Sequence, residues 1–207
     1  MNAMQDERTV SFTEMKHGTK EDYTLLQELE QPFLAMTPDR ILDELKRQGE
    51  ASVAGYKITR LEHGLQSGTR AHREGADLDW VVGALLHDIG DGLAPQNHDH
   101  MSAEVIRPFV REEVSWVIEH HGIFQMIYYG HHYNWDANAR DRFKDHPCFQ
   151  SCADFCERWD QSSFDPDYCP EALDFFEPMI REVFSRKAYA SDVIKSGHVE
   201  GLPPLAA

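Results

Sequence analysis

The sequence predicts an all-α fold, and three observations carry that prediction. Apolar residues recur at spacings of three and four through nearly every periodic stretch. No alternating segment long enough for a useful strand occurs. Ser, Thr and Asp caps and prolines fall where helices of ordinary length would begin and end. Thr37-Pro38 puts a cap before a proline at the first helical position, and Ile41, Leu42 and Leu45 then share one face. Thr59 is placed to cap a helix running to about Glu74. Asp77 caps the next, Leu78 to Ile89, whose Val81–Leu86 stretch is apolar all round and therefore central. Helices are expected over Asp99–Phe109 and Val110–His121, with Pro108 marking the bend, and then over Pro147–Trp159 and Pro170–Phe184. The glycine-containing aromatic stretch Gly122–Asp145 reads as the least regular segment and as an active-site loop.

At 207 residues the chain can bury one core unaided by disulfides. The expected organisation is a loosely held polar arm over residues 1–18, a single domain over 19–196, and a tail over 197–207. Pro203-Pro204 stops the tail from continuing a helix. It is left two destinations, its own domain's surface or a partner subunit, the second making a homodimer.

Lys and Arg number 20 against 36 Asp and Glu, a formal charge of −16, which argues against nucleic acid and anionic membranes as partners. The run Trp80–Leu86 is far short of the roughly 20 residues a membrane span needs. The first ten residues carry no basic-plus-apolar signal pattern, so a cytoplasmic protein is expected. Cys148, Cys152 and Cys156 recur every fourth residue and read as buried structural thiols in preference to metal ligands. Cys169 stands apart.

Histidine is the unusual residue: of 12, seven lie between positions 87 and 132. The helical period sorts them. Val110, Val114, Val117 and Ile118 form a face that continues onto His121, whereas His120 falls beside Glu113 and Trp116. His98 shares a face with Ser102, Val105, Ile106 and Phe109, and His100 lies to the side. Cys152, Phe155, Cys156 and Trp159 lead to Asp160. His87-Asp88 closes the most hydrophobic helix. A single inward histidine is ordinarily a core residue bonded to a carbonyl. Five converging His and Asp residues cannot all be neutral and mutually satisfied, and a metal cation is the natural counter-charge. Imidazole with carboxylate and no thiolate suits iron, manganese or zinc.

The stretches LEHGLQSG (His63), ALLHDIGD (His87-Asp88) and CERWDQ (Asp160) resemble the H…HD…D signature of the HD-domain superfamily over about Thr59–Asp160. His98 ahead of Ser102-Ala103, and His121 in HGIF, are similar to the dinuclear branch. Within it the likeness is to the mixed-valent diiron oxygenases of 1-hydroxyphosphonates and, more distantly, to myo-inositol oxygenase. The resemblance implies an HD-domain helical bundle with two iron ions, Fe(II)/Fe(III). It also implies that His63, His87, Asp88 and Asp160 hold one iron, that His98 and His121 hold the second, and that Asp88 bridges them. Relatives carry a tyrosine before the first histidine that guards the iron, and Tyr56 is the tyrosine available. The implied reaction is dioxygen-dependent cleavage of a carbon–phosphorus bond in a small organophosphonate.

Departures from the family pattern bear on the substrate. Asp91 stands where many members carry a basic residue after the doublet, and Gln125 and Phe164 stand where oxygenase relatives place lysines. Around them lie Phe124, Tyr128, Tyr129, Tyr133, Trp135 and Trp159. A carboxylate with aromatic faces suits a quaternary ammonium, so a 1-hydroxyphosphonate with a trimethylammonium tail is expected, with Asp91 as the tail's counter-charge. Ordinary packing is the other reading of those aromatics. Arg158 or Lys57 would anchor the phosphonate. Two other functions share this ligand set: a metal-dependent HD phosphohydrolase, disfavoured by Asp91 and the absent lysines, and a non-catalytic ligand-binding HD module.

Overall fold

The computed structural model describes residues 8–50 and 55–205. Among these residues the structure is helical and contains no strand, as the sequence predicts. The chain separates into two compact units, Met1–Ile41 and Leu42–Ala207. In the first unit the main element is α1 (Lys20–Ala35), opened by a capping box in which Thr19 and Asp22 satisfy each other's backbone N–H groups. The Asp22 carboxylate also accepts from Ser11 N at 2.7 Å and Ser11 Oγ at 3.0 Å. Helix α2 spans Thr37–Gln48.

In the second unit the expected caps operate. Helix α3 (Arg60–Arg73) starts at Thr59, whose hydroxyl accepts from Glu62 N while the Glu62 carboxylate accepts from Thr59 N. Helix α4 (Leu78–Leu86) starts at Asp77, which accepts from Trp80 N. From Asp79 to Leu86 α4 is buried on every side, as a helix without a polar face must be. It packs against α3, against α6 (Glu112–Tyr129) and against α8 (Leu173–Phe184). Helix α5 (His98–Ile106) packs on α6, which in turn holds α7 (Phe149–Phe155). A short α9 (Ser191–Ile194) precedes the tail. The fully buried Trp80, Phe155, Trp159, Phe176 and Ile180 centre the core. No helix among the described residues is long and apolar enough to cross a membrane.

Several element boundaries differ from the sequence reading. Helix α4 ends at Leu86, so His87-Asp88 lies in the tight turns after it and not in its last turn. Helix α6 does not stop at His121 but runs on through Gly122 to Tyr129. A mid-helix glycine costs only about 1 kcal/mol, which burial of Phe124 offsets. Gly122 serves close approach: a Cβ there would sit 3.1 Å from Asp99 Oδ2 on α5. The irregular segment therefore begins only at Gly130, with 3-10 turns at Gly130–Tyr133 and Ala139–Phe143. The expected helix over Pro147–Trp159 is α7 followed by a π-helical turn, Cys156–Asp160, a distortion common at functional sites.

The tail lies on its own domain. Glu113, buried, accepts from the N–H groups of Glu200 (3.0 Å) and Gly201 (2.9 Å), and Trp80 Nε1 donates to Gly201 O at 3.0 Å. Cys148, Cys152 and Cys156 are buried free thiols, and burial pushes the Cys148 thiol up to about 11.

Candidate metal centre

Five segments deliver six side chains to one point. His63 comes from the first turn of α3, His87 and Asp88 from the turns after α4, His98 from the start of α5, His121 from the middle of α6, and Asp160 from the π-helical turn. Gly64 lets α3 and α4 approach, because its Cα faces the Leu85 carbonyl so closely that a Cβ would stand 2.6 Å from that oxygen. His63 and His87 consequently meet, Nε2 to Nε2, at 2.9 Å.

That contact is informative. The Nδ1 atoms of His63, His87 and His121 lie 2.8, 2.8 and 2.7 Å from the carbonyl oxygens of Ser163, Ala84 and Ile118, and His98 Nδ1 lies 3.4 Å from Pro95 O. A carbonyl only accepts, so each Nδ1 carries a proton and each ring turns its Nε2 inward, where the neutral form would offer a lone pair to a metal. Two lone pairs at 2.9 Å repel unless a proton or cation lies between them. The carboxylates complete the arrangement. Asp160 Oδ1 is 3.2 Å from His63 Nε2 and 3.4 Å from His87 Nε2. Asp88 divides its oxygens: Oδ1 is 3.2 Å from His98 Nε2 and 3.4 Å from His121 Nε2, and Oδ2 is 3.6 Å from His63 Nε2. Asp88 Oδ1 and Asp160 Oδ2 are buried and receive no well-directed hydrogen bond among the described residues, the His98 Nε2 contact at 3.2 Å included. Orphaned carboxylate oxygens facing converging imidazole Nε2 atoms are what a bound cation would satisfy. Two three-residue groups have their ligand atoms close enough for a metal, His63–His87–Asp160 and His87–Asp88–His121.

The electrostatics agree. Burial opposes charge on Asp88 and Asp160, yet the neighbouring imidazoles, His87 foremost, hold Asp88 well below the usual carboxylate range and lower Asp160 too. Burial likewise disfavours the His98 imidazolium, but the hydrogen bond and charge of Asp88 outweigh it and raise His98 to about 9. Without metal, protons take the place that the carboxylates prepare for a cation. His100 faces Glu119 at 3.4 Å and His120 stacks on Trp116, both away from Asp88.

A cavity of about 530 Å³ opens over these residues. Tyr56, Gln125, Tyr128, Tyr129, Tyr133 and Trp135 line it. Trp135 stacks on Tyr133 at 4.9 Å between ring centres, and Tyr129 stands edge-on to Tyr133 at 6.2 Å and near-perpendicular to Trp135 at 6.3 Å. Tyr56 stacks on Phe164, which stacks on His63.

The structure corrects four expectations about this cavity. Asp91 is not a free carboxylate for a cationic tail: its Oδ2 accepts from Arg60 Nε at 2.7 Å, and it does not line the cavity. Arg158 is held elsewhere, by Glu74 at 2.5 Å and the Pro203 carbonyl at 2.8 Å. Lys57 is exposed and outside the lining, and Phe124 and Trp159 are core residues. The sequence reading missed Arg60, which lines the cavity and also donates to Asp88 Oδ2 at 3.1 Å. The signal was present, since Arg60 precedes His63 by three residues and so shares its helix face.

Buried histidines and aspartates, gathered at the ends of packed helices beside an open cavity, define a metal-site protein on a helical bundle. Residues 60–160 match the HD domain family, and the chain carries an HD domain there. It also resembles 1-hydroxy-2-(trimethylamino)ethylphosphonate dioxygenase (glycine-betaine-forming) of Leisingera caerulea, with 31% identity over 86 residues. That match covers 36% of this chain and 44% of the relative, so the chain spans less than half the length of the curated protein it matches. The domain and the His/Asp cluster together support a metal-dependent function of the HD type.

Proposed function

We propose that the protein is a diiron dioxygenase that cleaves the carbon–phosphorus bond of 1-hydroxy-2-trimethylaminoethylphosphonate, giving glycine betaine and phosphate. The observation that carries this reading is the division of Asp88. One oxygen faces His98 and His121 and the other faces His63, which suits a carboxylate bridging two cations. The relative's activity supplies the substrate class. The ligands would be His63, His87, Asp88 and Asp160 for one iron, and Asp88, His98 and His121 for the other. When bound, the iron pair supplies Lewis acidity toward the substrate oxygens and electrons toward dioxygen.

The balance is simple. The C1–P and C1–H bonds break; one atom of dioxygen ends on C1, making a carboxylate, and the other on phosphorus, making phosphate, with one proton released. The chain's own residues position the reactant. Backbone carbonyls at each Nδ1 fix the four imidazoles, so no ring need turn as ligands exchange. Tyr129, Tyr133 and Trp135 line the cavity together, and a trimethylammonium group stripped of water would gain roughly 0.5–2 kcal/mol from each aromatic face it meets. Tyr56, half-exposed at the cavity wall, would shield a bound metal until substrate enters.

Oxygen uptake by the iron-loaded protein tests the reading. Adding the hydroxyphosphonate should consume one dioxygen per phosphate released. Phosphate release at an undiminished rate without oxygen would make the protein a hydrolase instead.

A further inference from the structure

Among the described residues that line the cavity, Arg60 is the one cation other than histidine. Its surroundings are carboxylates: Nη1 donates to Asp88 Oδ2 at 3.1 Å and Nε to Asp91 Oδ2 at 2.7 Å. A guanidinium has five N–H groups, so these two bonds leave three without an acceptor among the described residues, both on Nη2 and one on Nη1. The group is poised but not spent. The side chain is 18% exposed, and the Tyr56 ring lies 5.1 Å from its Cζ, which limits the directions it can take. The wall otherwise presents the carboxylates of Asp88 and Asp160 to whatever enters, and neither Arg158 nor Lys57 reaches it.

We propose that Arg60 is the oxyanion anchor of this cavity. Its uncommitted N–H groups receive the phosphonate oxygens of the substrate, while Asp91 acts as a positioning residue that fixes the guanidinium from behind. The inference rests on the function proposed above for the identity of the oxyanion as a phosphonate. Its geometry does not. A guanidinium fork matches two oxygens of a phosphonate at once, which an ammonium on the same stem cannot do. Asp91, standing where family members carry a basic residue, then has a role in holding a cation that comes from a different helix.

Equilibrium binding of methylphosphonate to the metal-loaded protein, measured by calorimetry without oxygen, tests this together with metal content. Arg60→Gln should keep its metal and bind methylphosphonate about 10- to 100-fold more weakly, the loss expected for charge-assisted bonds. Arg60→Lys, which keeps the charge without the fork, should fall between the two and guards against a folding defect in the first variant. Asp91→Asn should weaken binding less than Arg60→Gln. Affinity within twofold of wild type in Arg60→Gln would overturn the proposal. So would loss of metal from both variants, since Arg60 would then serve Asp88 alone. No turnover is involved, so a failed oxygen-uptake test would leave this result standing, and the reverse holds equally.

Discussion

Replacing Asp88 by Asn probes the centre most sharply, because the change is isosteric and removes one charge. In the metal-free protein His98 is raised to about 9 from an ordinary 6.5, burial working against the shift and the hydrogen bond and charge of Asp88 producing most of it. That interval corresponds to ~3 kcal/mol of preference for the imidazolium, taking about 1.4 kcal/mol per pH unit. The Pro95 carbonyl and Asp99 also raise His98, so Asp88 accounts for most of the effect but not all. In Asp88→Asn the His98 ring, followed by NMR titration of the metal-free protein, should therefore titrate at least one pH unit lower. The metal-loaded variant should lose both ions, because the one carboxylate the two sets share is gone: Oδ1 serves His98 and His121 at 3.2 and 3.4 Å, leaving them no other carboxylate among the proposed ligands, and Oδ2 serves His63 at 3.6 Å, leaving that set Asp160 alone. Elemental analysis should find fewer than one metal per chain. Two retained metals, or a His98 titration still near 9, would refute the reasoning.

Four other outcomes follow from the same structure. His98 titrates at about 9 when folded and about 6.5 when unfolded, so its charge stabilises the metal-free protein fully below pH 6.5, and that contribution is lost as pH rises through 9. Metal needs the neutral ring, so its affinity should climb across the same window; a flat binding profile there would contradict the assignment. Gly64→Ala would place a Cβ 2.6 Å from the Leu85 carbonyl, forcing α3 from α4, and chemical denaturation should show a loss of about 1–3 kcal/mol together with reduced metal content. Trp135→Leu should raise KM for the trimethylammonium substrate about 2- to 30-fold, the equivalent of one cation–π face, and change KM little for a neutral hydroxyethylphosphonate. In Glu113→Gln one of the two acceptor oxygens becomes a donor, facing either Ser151 Oγ (2.6 Å) and the Gly201 N–H at the Oε1 position or the Glu200 N–H at the Oε2 position, so hydrogen exchange at one of those two amides should quicken; unchanged exchange at both would contradict this.

Short-range periodicity determined a great deal. The caps at Thr59 and Asp77, the all-round burial of α4, and the inward faces that end on His121 and Asp160 follow from spacings of three and four, which the helix converts directly into direction. The HD doublet with its flanking histidines marked the candidate ligands, and the folded chain brings all six within a few ångströms of Asp88 or Asp160. What only the tertiary structure decided depends on residues far apart in the chain. Asp91 read as a free carboxylate until α3 brought Arg60 against it, and Arg158 read as free until Glu74 and the tail carbonyl of Pro203 took it. Gly122 read as a helix end because a propensity scale does not show that Asp99 of a neighbouring helix needs the space. The π-helical turn at Cys156–Asp160 had no local signal either, since the apolar face of α7 runs through it unbroken. In each case the side chain's direction was written locally. Its partner was set by how two helices pack, and packing distance depends on contacts that no single stretch of sequence contains.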